Sequence, residues 1–121
     1  MKSKNLRLRN RAWKLFSLFI RKRDKHCFTC GAYKNITELD AGHFIHGKTT
    51  PIYFDETNVH AQCTFCNRYM HGNLIDYTVN MISEYGQGKV DSLRAQKHKI
   101  KKWKISELEA MIKKYSRDSL K

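Results

Sequence analysis

Apolar positions along the chain fall into short periodic groups, and each group predicts an element. Over residues 6–23, Trp13, Phe16 and Ile20 recur at i, i+3 and i+7, and Ala12, Leu15 and Phe19 widen the stripe. Arg11, Lys14, Arg21 and Lys22 lie off it, so the segment reads as an amphipathic helix with one buried face. Residues 36–46 (ITELDAGHFIH) read as a strand, and Ile52–Phe54, after a polar loop with the only proline, Pro51, reads as a short return strand. A short helix is expected from near Cys63 toward His71, with Gly72 as its stop. Leu74, Tyr77, Met81 and Tyr85 share a helical face that ends at Gly86 and Gly88, and another helix is expected over 89–101. The last helix is predicted to begin at Ser106, with Ser106 and Glu109 as a capping box and Ile105 and Ala110 as a hydrophobic staple. Leu108, Ile112 and Tyr115 form its apolar stripe, and no internal repeat appears.

At 121 residues the chain is long enough for one domain, 1–121, and not for a second core. Within it, 6–23 is a basic lead-in helix, 26–73 the central unit and 74–121 a helical extension. No run of 18 apolar residues exists to span a membrane. Met1 to Arg11 carries five basic residues and no apolar signal core, so a cytoplasmic protein is expected. The apolar fraction of 40% is too high for a disordered tail.

Charge sharpens this outline. Residues 1–25 hold ten basic side chains and one acidic, and residues 89–121 hold eleven basic and four acidic. The middle has only Lys34, Lys48 and Arg68 against six acids, and the whole chain carries +13. Basic flanks around a mildly acidic centre suit a protein that grips phosphates outside and holds a cation inside. Solvated helix faces are the plainer alternative, because Lys and Arg are good helix formers.

All four cysteines lie in two knuckles, Cys27-x-x-Cys30 and Cys63-x-x-Cys66. Two residues between ligands let both thiolates of a pair meet one ion at tetrahedral angles, and two pairs close a four-thiolate zinc site. Two disulfides are the competing reading, which a reducing compartment disfavours. With all four positions filled by protein, the zinc is expected to be structural, and the 32 residues between Cys30 and Cys63 are the segment that it clamps.

That segment carries Asp40-Ala41-Gly42-His43, then Asn58-Val59-His60, and runs on into Cys63-x-x-Cys66-Asn67-Arg68-Tyr69-Met70-His71. A strand with a His, then Asn-x-x-x-x-Cys-x-x-Cys-Asn and a helix, resembles the HNH, or ββα-metal, nucleases. Ala41-Gly42-His43-Phe44-Ile45, Asn58 through Arg68, Gly72-Asn73 and Tyr77 resemble the NinG (Rap) family of phage recombination nucleases within that group. The match covers roughly residues 25–90. The lead-in helix, with Trp13 and Arg21-Lys22-Arg23-Asp24, is similar to that of zinc-knuckle HNH proteins. The fold class implied is α+β, a small zinc-stapled ββα-metal core flanked by basic helices.

The resemblance implies a metal-dependent endonuclease that hydrolyses phosphodiesters and leaves 5′-phosphate and 3′-hydroxyl ends. His43 is the expected general base, since an ordinary imidazole is largely neutral at pH 7. By analogy with the central Asn of the HNH motif, Asn58 holds the hairpin and orients His43. Asn67 and His71 lie i, i+4 on one expected helical face, where an amide oxygen and an imidazole suit Mg²⁺ or Mn²⁺. Many HNH nucleases carry a metal ligand just before the base, and here that position is Gly42. Asp40 is the nearest carboxylate, but three residues before His43 it faces the other side of an ideal strand, so reaching the metal needs a bulge at Gly42. Asp76 and Asp55 are reserves.

DNA is the expected partner. Arg7, Arg9, Arg11, Arg21, Lys22 and Arg23 at one end, and Lys97, Lys99, Lys101, Lys102 and Lys104 at the other, are candidates to hold phosphates, with Lys48 and Arg68 nearer the chemistry. No recognition-helix signature that reads bases is present. NinG-like proteins are associated with branched intermediates such as Holliday junctions and D-loops, so the resemblance implies selection by DNA shape in the host cytoplasm. A homodimer would suit symmetric cutting. Two other readings compete: a general HNH nickase on duplex DNA, and a zinc-stabilised DNA-binding module without catalysis. Of the remaining residues, His60 is expected to be structural, Phe65 and Tyr69 to be core, His26 to sit near the zinc and His98 on a basic face. His46 is expected to bind phosphate, to assist the base or to be idle in a loop.

Overall fold

The computed structural model describes residues 3–118. Helix α1 spans Lys4–Asp24, strands β1 and β2 span Leu39–His43 and Val59–Cys63, and helices α2, α3 and α4 span Leu74–Tyr85, Gln87–Arg94 and Ile105–Asp118. Ser3 starts α1 by accepting the Leu6 N–H on its hydroxyl at 3.1 Å, and Lys25 ends it in a left-handed conformation (φ 65°). Ala12, Phe16 and Ile20 are its buried line, as the periodicity requires.

The strands pair antiparallel in continuous register from Leu39↔Cys63 to His43↔Val59, with a long loop between them. Alternation divides their side chains between two faces. Ala41, His43 and Val59 face α1 and α4, where Phe16, Ile20, Phe54, Leu108 and Tyr115 build the larger core. Asp40, Gly42, His60 and Gln62 face α2 and the turn that precedes it. The outer edge of β2 is covered: Asp24 Oδ2 accepts the Ala61 N–H at 2.8 Å, Phe28 N–H donates to the Ala61 carbonyl at 2.8 Å, and Arg23 donates to the Val59 carbonyl at 2.9 Å. The two-stranded sheet leaves β1 as its open edge.

Helices α1 and α4 run parallel. The start of α1 meets the start of α4 where Asn5 Nδ2 donates to the Trp103 carbonyl at 2.7 Å, and further along the rings of Phe16 and Phe19 each pack at an angle against Tyr115, centroids 5.1 Å apart. A second core joins Phe44, Ile45 and Ile52 of the hairpin loop to Tyr77 and Met81 of α2 and to Val90 and Leu93 of α3.

Several sequence expectations are corrected. The strand predicted over 36–46 is shorter: Ile36–Glu38 is a 3-10 turn, and Phe44 leaves the sheet to enter the second core. Ile52–Phe54 is turn, not return strand, and the partner of β1 is Val59–Cys63. The helix expected over 89–101 ends at Arg94, because Gln96 and Lys97, at i+3 and i+4 from Leu93, give the next turn nothing apolar to bury. Only the acidic half of a capping box forms at α4, two residues early, with Glu107 Oε1 accepting the Lys104 N–H at 3.0 Å in place of the Ser106–Glu109 pair. Leu74, assigned to the inner face of α2, is 54% exposed.

Candidate metal centre and catalytic site

Cys27 and Cys30 turn beneath the end of α1, while Cys63 ends β2 and Cys66 opens the next turn, so the two knuckles meet. All four sulfur atoms lie within 4.8 Å of one another, and Cys30 Sγ is 3.8 Å from Cys63 Sγ. Zn–S bonds of about 2.3 Å at tetrahedral angles place sulfurs about 3.8 Å apart, whereas a disulfide needs about 2.05 Å. In each knuckle the N–H of the second cysteine points at the sulfur of the first at 3.5 Å, and Asn73 Nδ2 reaches Cys66 Sγ at 3.5 Å. These donors suit thiolates. Burial raises the Cys27 pKa, but hydrogen bonds from the Thr29 hydroxyl and the Cys30 N–H outweigh it and hold the thiol at about 6. Burial and the adjacent Cys27 push Cys30 up to about 12, the conflict expected of crowded sulfurs that need a cation to ionise together. The four cysteines could hold a metal such as zinc, and a ligand set closed in this way would make it structural.

His43 ends β1 with its ring layered between Trp13 (4.9 Å, 15°) and Tyr53 (4.6 Å, 21°). Its Nε2 lies 2.9 Å from the Tyr53 carbonyl, which only accepts, so the proton sits on Nε2 and the Nδ1 lone pair is left as a base. Burial, with His46 adding to it, lowers the His43 pKa to about 4 against the pull of the Tyr53 carbonyl, so the ring is neutral at pH 7. Asn58 acts one step behind. Fully buried, it accepts the Ile45 N–H on Oδ1 at 2.9 Å and donates to the carbonyls of Ile45 and Ile52 at 3.0 and 3.2 Å. It thereby fixes the loop that presents the Tyr53 carbonyl.

Asp40 lies on the opposite face from His43, and the unbroken register shows no bulge at Gly42. Even so, Asp40 reaches Asn67: Asn67 Nδ2 donates to Asp40 Oδ2 at 3.0 Å, and Arg68 grips the same carboxylate through Nε and Nη2 at 3.1 Å each. An amide oxygen beside a carboxylate is a donor set for a hard cation. Asn67 and His71 do not share an α-helical face. Phe65–Tyr69 is a π-helical turn, and His71 lies beyond it, exposed and left-handed at φ 51°. The π turn also directs Phe65 and Tyr69 outward, stacked on each other at 6.2 Å and 61% and 75% exposed, which corrects their assignment to the core. His46 stands near the open edge of β1, its ring 6.3 Å from His43 and its Nε2 3.6 Å from where a Cβ on Gly72 would be.

Basic residues divide into two groups. Arg21 donates to the Ile36 carbonyl at 3.1 Å, and Arg23 pairs with Asp24 while donating to Glu56 and Val59 carbonyls, so both hold the fold together. Arg7, Arg11, Lys48, Lys99 and Lys102 are exposed, whereas Lys22 is half-buried. Arg9, Lys101 and Lys102 line one groove with Asn5, Thr49, Ile100 and Trp103, beside the starts of α1 and α4. Lys101 also pairs with Glu107 at 2.8 Å and lies over the Trp103 ring. A second groove, lined by Phe44, Ile45, His46, Leu74, Arg94 and Lys97, opens near His46.

Sequence reasoning missed Trp13 and Tyr53 as the layers around His43, and Gln62 altogether. It placed His60 correctly among structural residues, without its partners. Tyr77 donates its hydroxyl proton to the Gly42 carbonyl at 2.7 Å, so His60 Nδ1–H donates to Tyr77 at 3.1 Å and Tyr85 donates to His60 Nε2 at 2.7 Å. Burial, reinforced by the charge of Arg23, lowers the His60 pKa to about 4. Between pH 6.5 and about 4 the unfolded chain therefore binds protons that the folded one refuses. The stability from this source is whole above pH 6.5 and drains as pH falls toward 4, by up to about 3 kcal/mol for His60. Denaturant melts from pH 7 to 5 should show the loss, and His60→Gln should flatten its slope. An equal slope in the variant would contradict this role.

Over residues 2–121 the sequence matches the family described as Bacteriophage Lambda NinG protein. The chain belongs to the NinG family. It is 38% identical over 100 residues to Protein ninG of Escherichia phage lambda, which covers 80% of this chain and 48% of that one. Protein ninG of Escherichia phage 933W is also 38% identical, over 80% of this chain and 49% of its own, and that of Salmonella phage P22 is 37% identical over 80% and 48%. The chain thus spans about half the length of the NinG proteins it matches. No solved structure matches it. No helix among the described residues is long and apolar enough to cross a membrane.

Proposed function

We propose that this NinG-family protein is a metal-dependent DNA endonuclease of HNH type, selective for branched recombination intermediates such as four-way junctions and D-loops. The observation that carries the reading is the state of His43: neutral, layered between two rings, its Nε2 proton engaged and its Nδ1 without a hydrogen-bond partner among the described residues. A structural imidazole normally uses both nitrogens, as His60 does. At Nδ1 the ring is set to take a proton from water as its oxygen bonds to phosphorus and the P–O3′ bond breaks. That step leaves a 5′-phosphate, and the 3′-oxygen takes a proton from solvent. A bound Mg²⁺ or Mn²⁺ would offset charge on the phosphoryl and leaving oxygens. Asn67, oriented by Asp40, would hold it from the other face of the hairpin, with the phosphate lying across the edge of β1 where it would meet both groups. The exposed arginines and lysines would hold the flanking phosphates without reading bases.

Two features favour a binding module instead: Gly42 offers no ligand, and Arg68 already neutralises Asp40. Cleavage of linear duplex, flapped and four-way DNA, each with Mg²⁺ or Mn²⁺, separates the readings. Preferential cutting of four-way or looped DNA is expected. Equal rates on linear duplex would make it a general nickase, and binding without cutting under any divalent ion would make it a non-catalytic module.

A further inference from the structure

The amide of Gln62 is fully buried on the second face of the hairpin. Its Nε2 donates to the Gly72 carbonyl at 2.9 Å and to Thr29 Oγ1 at 3.3 Å. A carbonyl only accepts, so Gly72 fixes which way round the amide sits. Oε1 therefore points at Gly42, where no described residue donates to it. Asn67 is oriented in the same manner: Nδ2 is spent on Asp40, which turns Oδ1 the other way. A Cβ on Gly42 would fall 1.8 Å from Gln62 Oε1 and 3.0 Å from Asn67 Oδ1. Two amide oxygens of fixed orientation thus converge beside Gly42 with no hydrogen to share, and a buried acceptor in that state calls for a partner.

We infer that Gln62 Oε1 and Asn67 Oδ1 seat a hard divalent cation of the Mg²⁺ or Mn²⁺ class, with Asp40 holding Asn67 in that orientation. Gln62 delivers from β2 the oxygen that Gly42 on β1 lacks. The two oxygens are less than about 5 Å apart, and ligands at about 2.1 Å from one ion are separated by about 3 Å when adjacent and about 4 Å when opposite. Glycine at 42 is then a requirement of the seat, since any Cβ would occupy the space of Gln62 Oε1. The seat is braced by the zinc knuckle, because Thr29, which accepts from Gln62, also bonds Cys27 Sγ at 3.1 Å. Only the catalytic use of the cation rests on the nuclease reading; the seat stands on the orientation of the amides.

Mn²⁺ titrated into the zinc-loaded chain without DNA, followed by the electron paramagnetic resonance of free Mn²⁺, tests the seat. Wild type should take up one Mn²⁺ that Mg²⁺ displaces. Gln62→Met, similar in size but without the oxygen, should weaken uptake at least about tenfold, the scale on which loss of a site partner acts. Gly42→Ala should do the same by expelling Oε1; its backbone is not left-handed, so the methyl group itself is the perturbation. Zinc content and circular dichroism establish that the variants are folded, and if Gln62→Met is not, Gly42→Ala decides. No uptake by wild type at millimolar Mn²⁺, or unchanged uptake in the folded variants, overturns the inference and leaves the buried oxygen to a water. Uptake without DNA cutting would sustain the seat and sink the nuclease, and cutting with unchanged uptake in both variants would do the reverse.

Discussion

Cys63→Ser protein is expected to lose its zinc and, with it, its cooperative thermal transition. Cys63 closes β2 and its sulfur lies 3.8 Å from that of Cys30, so one substitution opens the metal site and frees the end of the strand. A structural zinc contributes about 10–16 kcal/mol of apparent binding free energy in small domains. Total stability of a domain this size is about 5–15 kcal/mol, so the loss is of the same order as everything else together. Without the metal, residues 30–63 also lose the tie between their ends, and the hairpin, its loop and the π turn must hold position on packing alone. Elemental analysis and a melting curve read the result. One zinc per chain retained and an unchanged Tm would contradict the four-sulfur ligand set, and chelation of the wild type should reproduce the substitution.

His43→Ala should abolish metal-dependent cutting, with a loss on the order of 10²–10⁴-fold, while DNA affinity stays within a few-fold. Affinity is expected to survive because the groove of Arg9, Lys101 and Lys102 lies beside the helix starts, formed by residues other than His43. The pH dependence adds a second signature. With the His43 pKa near 4, the free enzyme should not lose activity between pH 8 and 6 through protonation of this ring. An acid limb centred near the ordinary imidazole value of 6.5 would mean that another histidine is the base. Cutting by the alanine variant at the wild-type rate would remove His43 from the mechanism.

How far the sequence predicts the structure depends on where each residue finds its partners. Helix α1 was legible because Ala12, Phe16 and Ile20 bury against one continuous core. The knuckles were legible because their spacing is itself the geometry. Strand β2 was not, although Val59, Ala61 and Cys63 alternate with His60 and Gln62. Its two polar residues are buried, and their partners (Tyr77, Tyr85, Thr29 and Gly72) come from other elements. Ile52–Phe54 misled in the opposite sense: apolar enough for a strand, it is held as turn by Asn58 and by the Tyr53 N–H to Thr50 carbonyl bond. In the site, His43, Asn58 and Asn67 are singled out only through the resemblance to HNH nucleases. That His43 and Asn67 occupy opposite faces of the hairpin needed the register, which no local pattern carries.

The parallel course of α1 and α4 bears on how a polyanion would be received. Peptide dipoles leave each helix with about half a positive charge at its first turn, and two antiparallel neighbours would cancel at a distance. Here both first turns lie beside the groove of Arg9, Lys101 and Lys102, and the Glu107 carboxylate that caps α4 and pairs with Lys101 cancels part of their pull. Part of that pull is built from amides that neither titrate nor change rotamer. An incoming strand would meet a fixed field at this end of the molecule, which gives it a polarity of approach before any single lysine has closed on it.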